Sequence, residues 1–81
     1  MSIRDINFVA TLSRNEGRYE VQATDKRVIL LDDFNEELNE VPIYNQDPLE
    51  VASRYILDLI KQGYTIENSI EDIYIILEDK I

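Results

Sequence analysis

The chain has 81 residues, 44% of them hydrophobic, with 17 acids against 8 bases and a formal net charge of −9. That length allows one domain, residues 1–81, with one small core, and the apolar content excludes a disordered acidic tail. Histidine and cysteine are both missing, which rules out disulfides and takes away the usual zinc ligands and the thiol nucleophile.

The charge is unevenly spread. Residues 1–31 hold four acids and five bases, whereas residues 32–81 hold thirteen acids and three bases. An asymmetry of this sign repels nucleic acid and anionic membrane and attracts basic protein surfaces. No apolar run approaches the ~20 residues of a membrane span. Met1 to Asn7 lacks the apolar core of a signal peptide. The expectation is a soluble, cytoplasmic protein.

Ile6 to Leu12 alternates, with Ile6, Phe8, Ala10 and Leu12 on one side and Asn7, Val9 and Thr11 on the other. This reads as a half-buried strand. Asn15-Glu16-Gly17 supplies a turn, with Gly17 free to take positive φ. Arg18 to Ala23 alternates again and puts Tyr19, Val21 and Ala23 inward. After a short turn at Thr24-Asp25-Lys26, Arg27 to Leu31 is apolar on both faces, as in a strand with more cover. Together these make an antiparallel meander.

Asp32 to Glu40 holds five acids and no base. It reads as a loop or one irregular turn, anchored by Phe34 and Leu38. Val41-Pro42-Ile43-Tyr44 is a candidate fourth strand at a sheet edge, because Pro42 cannot donate to a central ladder. Asp47-Pro48-Leu49-Glu50 opens a helix: Asp47 caps, Pro48 suits the first position and Glu50 closes a capping box. The helix runs to about Gln62. Leu49, Ala52, Tyr55, Ile56, Leu59 and Ile60 form its apolar stripe, and Gly63 its left-handed cap. A second helix is expected near Asn68, with Glu71 closing its box and Ile70, Ile73, Tyr74, Leu77 and Ile81 inward. The rival reading is a strand through Ile73–Leu77; the i, i+3, i+4, i+7 spacing favours the helix.

Catalytic chemistry is poorly represented. Ser13, Ser53 and Ser69 have no identifiable base, and two glycines cannot build a phosphate-cradling loop. The acids of Asp32–Glu40 are hard oxygen ligands, yet their spacing departs from the Asp-x-Asp-x-Asp-Gly calcium loop and the turn glycine is missing. The expectation is no cofactor, no metal and no enzymatic activity.

The acids have a helical geometry. At ~100° per residue, Glu71 and Glu78 lie within ~20° of each other, and Asp72 and Asp79 form a parallel row. Ile75 falls between the rows, ~140° from Ile70. It is either an interface anchor with a charged rim or a residue packed on another element of its own fold. Carboxylates on adjacent helix turns stand ~5–6 Å apart, close to the spacing of successive phosphates on one strand. An acidic loop and an acidic helix therefore suit a groove built for a phosphate backbone.

A strand meander, an acidic loop through Glu36-Glu37, a helix ending Lys61-Gln62-Gly63-Tyr64 and an acid-rich closing segment resemble the small acidic inhibitors of phages. Anti-CRISPR proteins are the nearest type, with uracil-glycosylase inhibitors as cousins. The likeness is one of size, charge and element order. It implies a DNA mimic or site-blocker without catalytic activity.

The expected fold is α+β: a three-stranded antiparallel meander, with the candidate edge strand, followed by two helices packed on one face. The expected core is Phe8, Tyr19, Val21, Leu30, Ala52, Ile56, Leu59, Ile73 and Leu77. The expected function is occupation of a basic, nucleic-acid-binding surface on another protein, with no direct contact to nucleic acid or membrane. Asp32, Asp33, Glu36, Glu37 and Glu40 would serve from the loop, and Glu71, Asp72, Ile75, Glu78 and Asp79 from the second helix. The alternative is an adaptor or subunit that binds through an apolar helix surface, its acids serving solubility.

Overall fold

The computed structural model describes residues 7–80. It is α+β, with strands β1 (Asn7–Arg14), β2 (Gly17–Ala23), β3 (Arg27–Asp32) and β4 (Glu37–Pro42), helix α1 (Pro48–Lys61), strand β5 (Thr65–Ser69) and helix α2 (Glu71–Lys80). One antiparallel sheet has the order β4-β3-β2-β1-β5. The chain climbs through a four-stranded meander, crosses back through α1 and lays β5 against the far side of β1. The sheet thus has five strands where the sequence predicts three, with a fourth at the edge.

The β1–β2 connection is a two-residue loop, Asn15-Glu16, with φ of 51° and 71°. Two successive positive φ values are what a tight hairpin demands, because they match the twist of the flanking strands. Gly17 is not the left-handed residue; it opens β2. Glycine is needed there for room, since a Cβ would stand 2.9 Å from the Tyr19 hydroxyl.

Alternation in β1 is interrupted. Phe8 faces Gln22 and Ala10 faces Val21, so Val9 is an extra residue in a bulge. Val9 and Ala10 are both buried, and Phe8 is turned to the other face, 38% exposed. The expectation of Phe8 in the core is thereby corrected. The bulge carbonyl at Val9 accepts a hydrogen bond from the Ile70 amide, 3.0 Å away, which ties β1 to the entry of α2.

The acidic segment Asp32–Glu40 is a hairpin and an edge strand. Asp32 Oδ1 accepts from the Phe34 and Glu36 amides at 2.8 and 3.0 Å, and Asn35 takes a φ of 61° to close the turn. β4 begins at Glu37 and ends at Pro42, earlier than the predicted Val41–Tyr44. Leu38 is an extra residue in its pairing with β3, and Glu67 is an extra residue in the pairing of β5 with β1.

α1 follows its sequence signals. Asp47 caps it through the Leu49 amide, and Pro48 takes the first position. Glu50 reaches Arg54 at 3.5 Å, so the ion pair takes this carboxylate along the helix, away from the cap. At the other end the Tyr64 amide bonds Leu59 O and the Gly63 amide bonds Ile60 O, with Gly63 at φ 104°. This is the paired 6→1 and 5→2 closure of a Schellman motif.

β5 occupies residues expected as a lead into the second helix. α2 starts at Glu71, two residues beyond the strand's end. Helix, not strand, is therefore the state of Ile73–Leu77.

One buried cluster joins Val9, Ala10, Leu12, Val21, Val28 and Leu30 of the sheet to Ala52, Ile56 and Leu59 of α1 and Ile73 and Leu77 of α2. Both helices therefore cover the same face. Tyr19 packs against this cluster without being fully buried. Ile60 and Tyr74, expected inward, are exposed. Ile6 and Ile81 lie outside the described residues. No helix among the described residues is long and apolar enough to cross a membrane.

Candidate functional site

The predicted site residues fall into two groups. Antiparallel pairing puts the β3–β4 turn at the end of the sheet shared with the β1–β2 turn. α2 begins at the opposite end, directly after β5. β4 and β5 are also the two outermost strands. Four strand spacings of ~4.8 Å separate them, about 19 Å. Asp33 and Glu36 therefore stand at one corner of the sheet, and Glu71 and Asp72 at the diagonally opposite one. The fold does not bring the loop acids and the helix acids together.

Within the first group the roles differ. The Asp32 carboxylate is committed to the hairpin by its two amide contacts. Glu37 and Glu40 lie on β4 and share one cation: Arg27 Nη1 is 3.1 Å from Glu37 and 3.4 Å from Glu40. These contacts raise the Arg27 pKa further above its ordinary value, the hydrogen bond to Glu37 first. Asp33 and Glu36 are exposed and meet no base among the described residues.

Within the second group Glu71, Asp72 and Glu78 are exposed on α2. The side chain of Asp79 lies outside the described residues. Ile75 is 56% exposed, with Tyr74 beside it at 43%. Ile75 therefore turns more than half of its surface to solvent. Leu57 of α1, by contrast, packs against the core cluster.

The sequence reading missed a third region, the sheet face turned away from the helices. Register places Phe8, Gln22, Ile29 and Glu40 in one cross-strand row, and Thr11, Glu20, Leu31 and Glu37 in the next. Ile29 and Leu31 are only 2% and 7% exposed, yet neither belongs to the core cluster under the helices. No helix or strand of the described residues covers them. Their cross-strand neighbours are polar: Gln22 Nε2 donates to Glu20 Oε2 at 2.6 Å on β2, and Arg27 of β3 bridges Glu37 and Glu40 on β4. The signal in sequence is the apolar run Val28–Leu31, which needs cover on both faces.

No three carboxylates among the described residues converge as a metal site. The hollows along β4 and at the hairpin corner are open and shallow, lined by Glu37–Glu40 and by Arg18, Glu20 and Asp33. Comparison with protein-family models, curated proteins and solved structures finds no match to this chain.

Proposed function

We propose that this protein is a non-enzymatic acidic binder that occupies a basic, nucleic-acid-binding surface of another protein and so inhibits it. One observation carries the reading. Asp33, Glu36, Glu71, Asp72 and Glu78 all stand in solvent, and none meets a base among the described residues. A charge of −9 on so small a body strains the fold by self-repulsion, and a cationic groove relieves that repulsion on both partners. The resemblance to phage inhibitors of the anti-CRISPR or DNA-mimic kind supports the same reading, with the host cytoplasm as its compartment.

The test is capture from a bacterial lysate at low and moderate salt, followed by a nucleic-acid-binding assay on what is retained. The expected partner is basic, is lost at the higher salt, and releases nucleic acid when this chain is added. A partner that holds its nucleic acid undisturbed would overturn the reading.

A second reading has its own observation. Tyr74 and Ile75 expose adjacent apolar surface on α2, which suits an adaptor or subunit docked through that helix. Truncating Ile75 would then abolish capture, and salt would matter little.

A further inference from the structure

Phe34 is the most exposed large hydrophobic side chain among the described residues, at 87%. The sequence suggests an inward anchor for Asp32–Glu40; the structure instead carries this ring on the tip of the β3–β4 hairpin, in solvent. Its seat is fixed. The Asp32 amide donates to Glu36 O at 3.1 Å and the Asn35 amide to Asp32 O at 3.0 Å. Asp33-Phe34-Asn35 is thus a three-residue loop that ends on left-handed Asn35. The Phe34 amide itself donates to Asp32 Oδ1 at 2.8 Å. A turn of this kind asks for nothing aromatic at its centre, so the ring has no part in closing it. A lone exposed apolar side chain is ordinary. A ring mounted on a fixed turn between two solvated carboxylates has the form of an interface anchor, because its backbone needs no further ordering on binding.

We infer that Phe34 is the anchor by which this chain docks on its partner, and that it enters an aromatic-lined hollow with a cationic rim. Charge selects the rim. Asp33 and Glu36 flank the ring, and the sequence has no base between Arg27 and Arg54. Arg18 stands beside the turn, but it shares its shallow hollow with Glu20, Asp32 and Asp33, so the balance there stays negative. Arg14, at the same end of the sheet, lies over the Tyr64 ring. An anionic lipid surface would also accept an exposed ring, and the flanking acids repel it. A net charge of −9 sets a second copy against the first. Proteins that bind single strands combine a basic groove with aromatic side chains on which bases stack. The Phe34 ring stacks on such a platform in place of a base. The inference rests on the acidic-binder reading and adds to it the apolar contact and the chemistry of the hollow.

The experiment uses the full chain carrying 4-fluorophenylalanine, which gives two fluorine signals, one from Phe34 and one from Phe8. It is titrated with a short peptide alternating arginine and tryptophan, and with a counterpart of equal charge in which serines replace the tryptophans. The tryptophan peptide is expected to bind about tenfold tighter, and to move the Phe34 signal while leaving that of Phe8 in place. Phe34→Ala should abolish the preference between the peptides without lowering the urea midpoint. Asp33→Asn with Glu36→Gln should weaken both peptides together. Saturable binding that leaves the Phe34 signal unmoved, or a tryptophan preference that survives Phe34→Ala, overturns the inference and leaves the acidic-binder reading standing. Self-association in sedimentation that is lost with Phe34→Ala does the same, since a second copy is then the occupant. Absence of saturable binding by either peptide removes both. The fluorine signals of the unaltered chain decide the matter even if the alanine variant fails to fold.

Discussion

The rings of Tyr19 and Tyr64 meet edge to face, with centroids 5.2 Å apart and planes inclined by 74°. The guanidinium of Arg14 lies 5.1 Å over the Tyr64 ring. Three elements are joined by this contact: β1 through Arg14, β2 through Tyr19 and the exit of α1 through Tyr64. An aromatic pair adds ~0.5–1.5 kcal/mol beyond its buried area. Tyr64→Ala is therefore expected to cost about 2 kcal/mol, and Tyr64→Phe much less, because the ring and not the hydroxyl makes both contacts. Urea denaturation of the two variants checks the difference.

Gly17 sits beside the Tyr19 ring. An added Cβ would press on the Tyr19 hydroxyl at 2.9 Å and approach Arg14 O and the ring at 3.3 Å. Gly17→Ala should cost about 1–3 kcal/mol as an overpacking substitution. Part of that cost should vanish in a Tyr19→Phe background, since the nearest atom is then gone. A double-mutant cycle that gives strictly additive losses would show that the ring evades the methyl group freely.

Asp32 holds the acidic hairpin together through two backbone amides. Asp32→Ala should destabilise the protein by about 1.5–3 kcal/mol, the range for hydrogen bonds to a charged group. Asp32→Asn keeps an acceptor oxygen and should lose less. Amide hydrogen exchange at Phe34 and Glu36 is the local readout, and it should quicken in the alanine variant first.

Tyr55 gives the stability a dependence on alkaline pH. Burial raises its pKa above 10.0, opposed by the hydrogen bond it accepts from Asn39 at 3.1 Å. The folded state thus holds the phenol proton more tightly than the unfolded chain does. Its stabilising effect is complete below pH ~10 and is lost as pH rises from the unfolded value through the folded one. Tyr55→Phe should flatten the decline in unfolding free energy above pH ~10 relative to the unaltered chain. Parallel curves for the two proteins would show that the phenol takes no part.

Local chemistry made α1 legible, because every signal for it lies within a few residues: Asp47 and Pro48 at one end, Gly63 and Tyr64 at the other. Features decided by distant pairing were not legible. Thr65–Ser69 has one inward apolar residue, Ile66, and becomes a strand only because β1 offers it a free edge. Phe8 fits the alternation of its strand until the bulge at Val9 reverses the faces. Glu37 and Glu40 read as loop charge because nothing in Asp32–Glu40 announces that Arg27, a strand away, lies between them. Helical period put Ile75 away from the buried stripe but left open whether another element covers it, because a wheel carries no knowledge of the rest of the fold; its 56% exposure comes from the structure.

Both outermost strands carry one residue too many for their inner neighbours, Leu38 on one side and Glu67 on the other. Such misfit borders deny a neighbouring molecule the regular ladder on which fibrils grow. Growth of this sheet by addition of a sixth strand is therefore disfavoured at both of its borders.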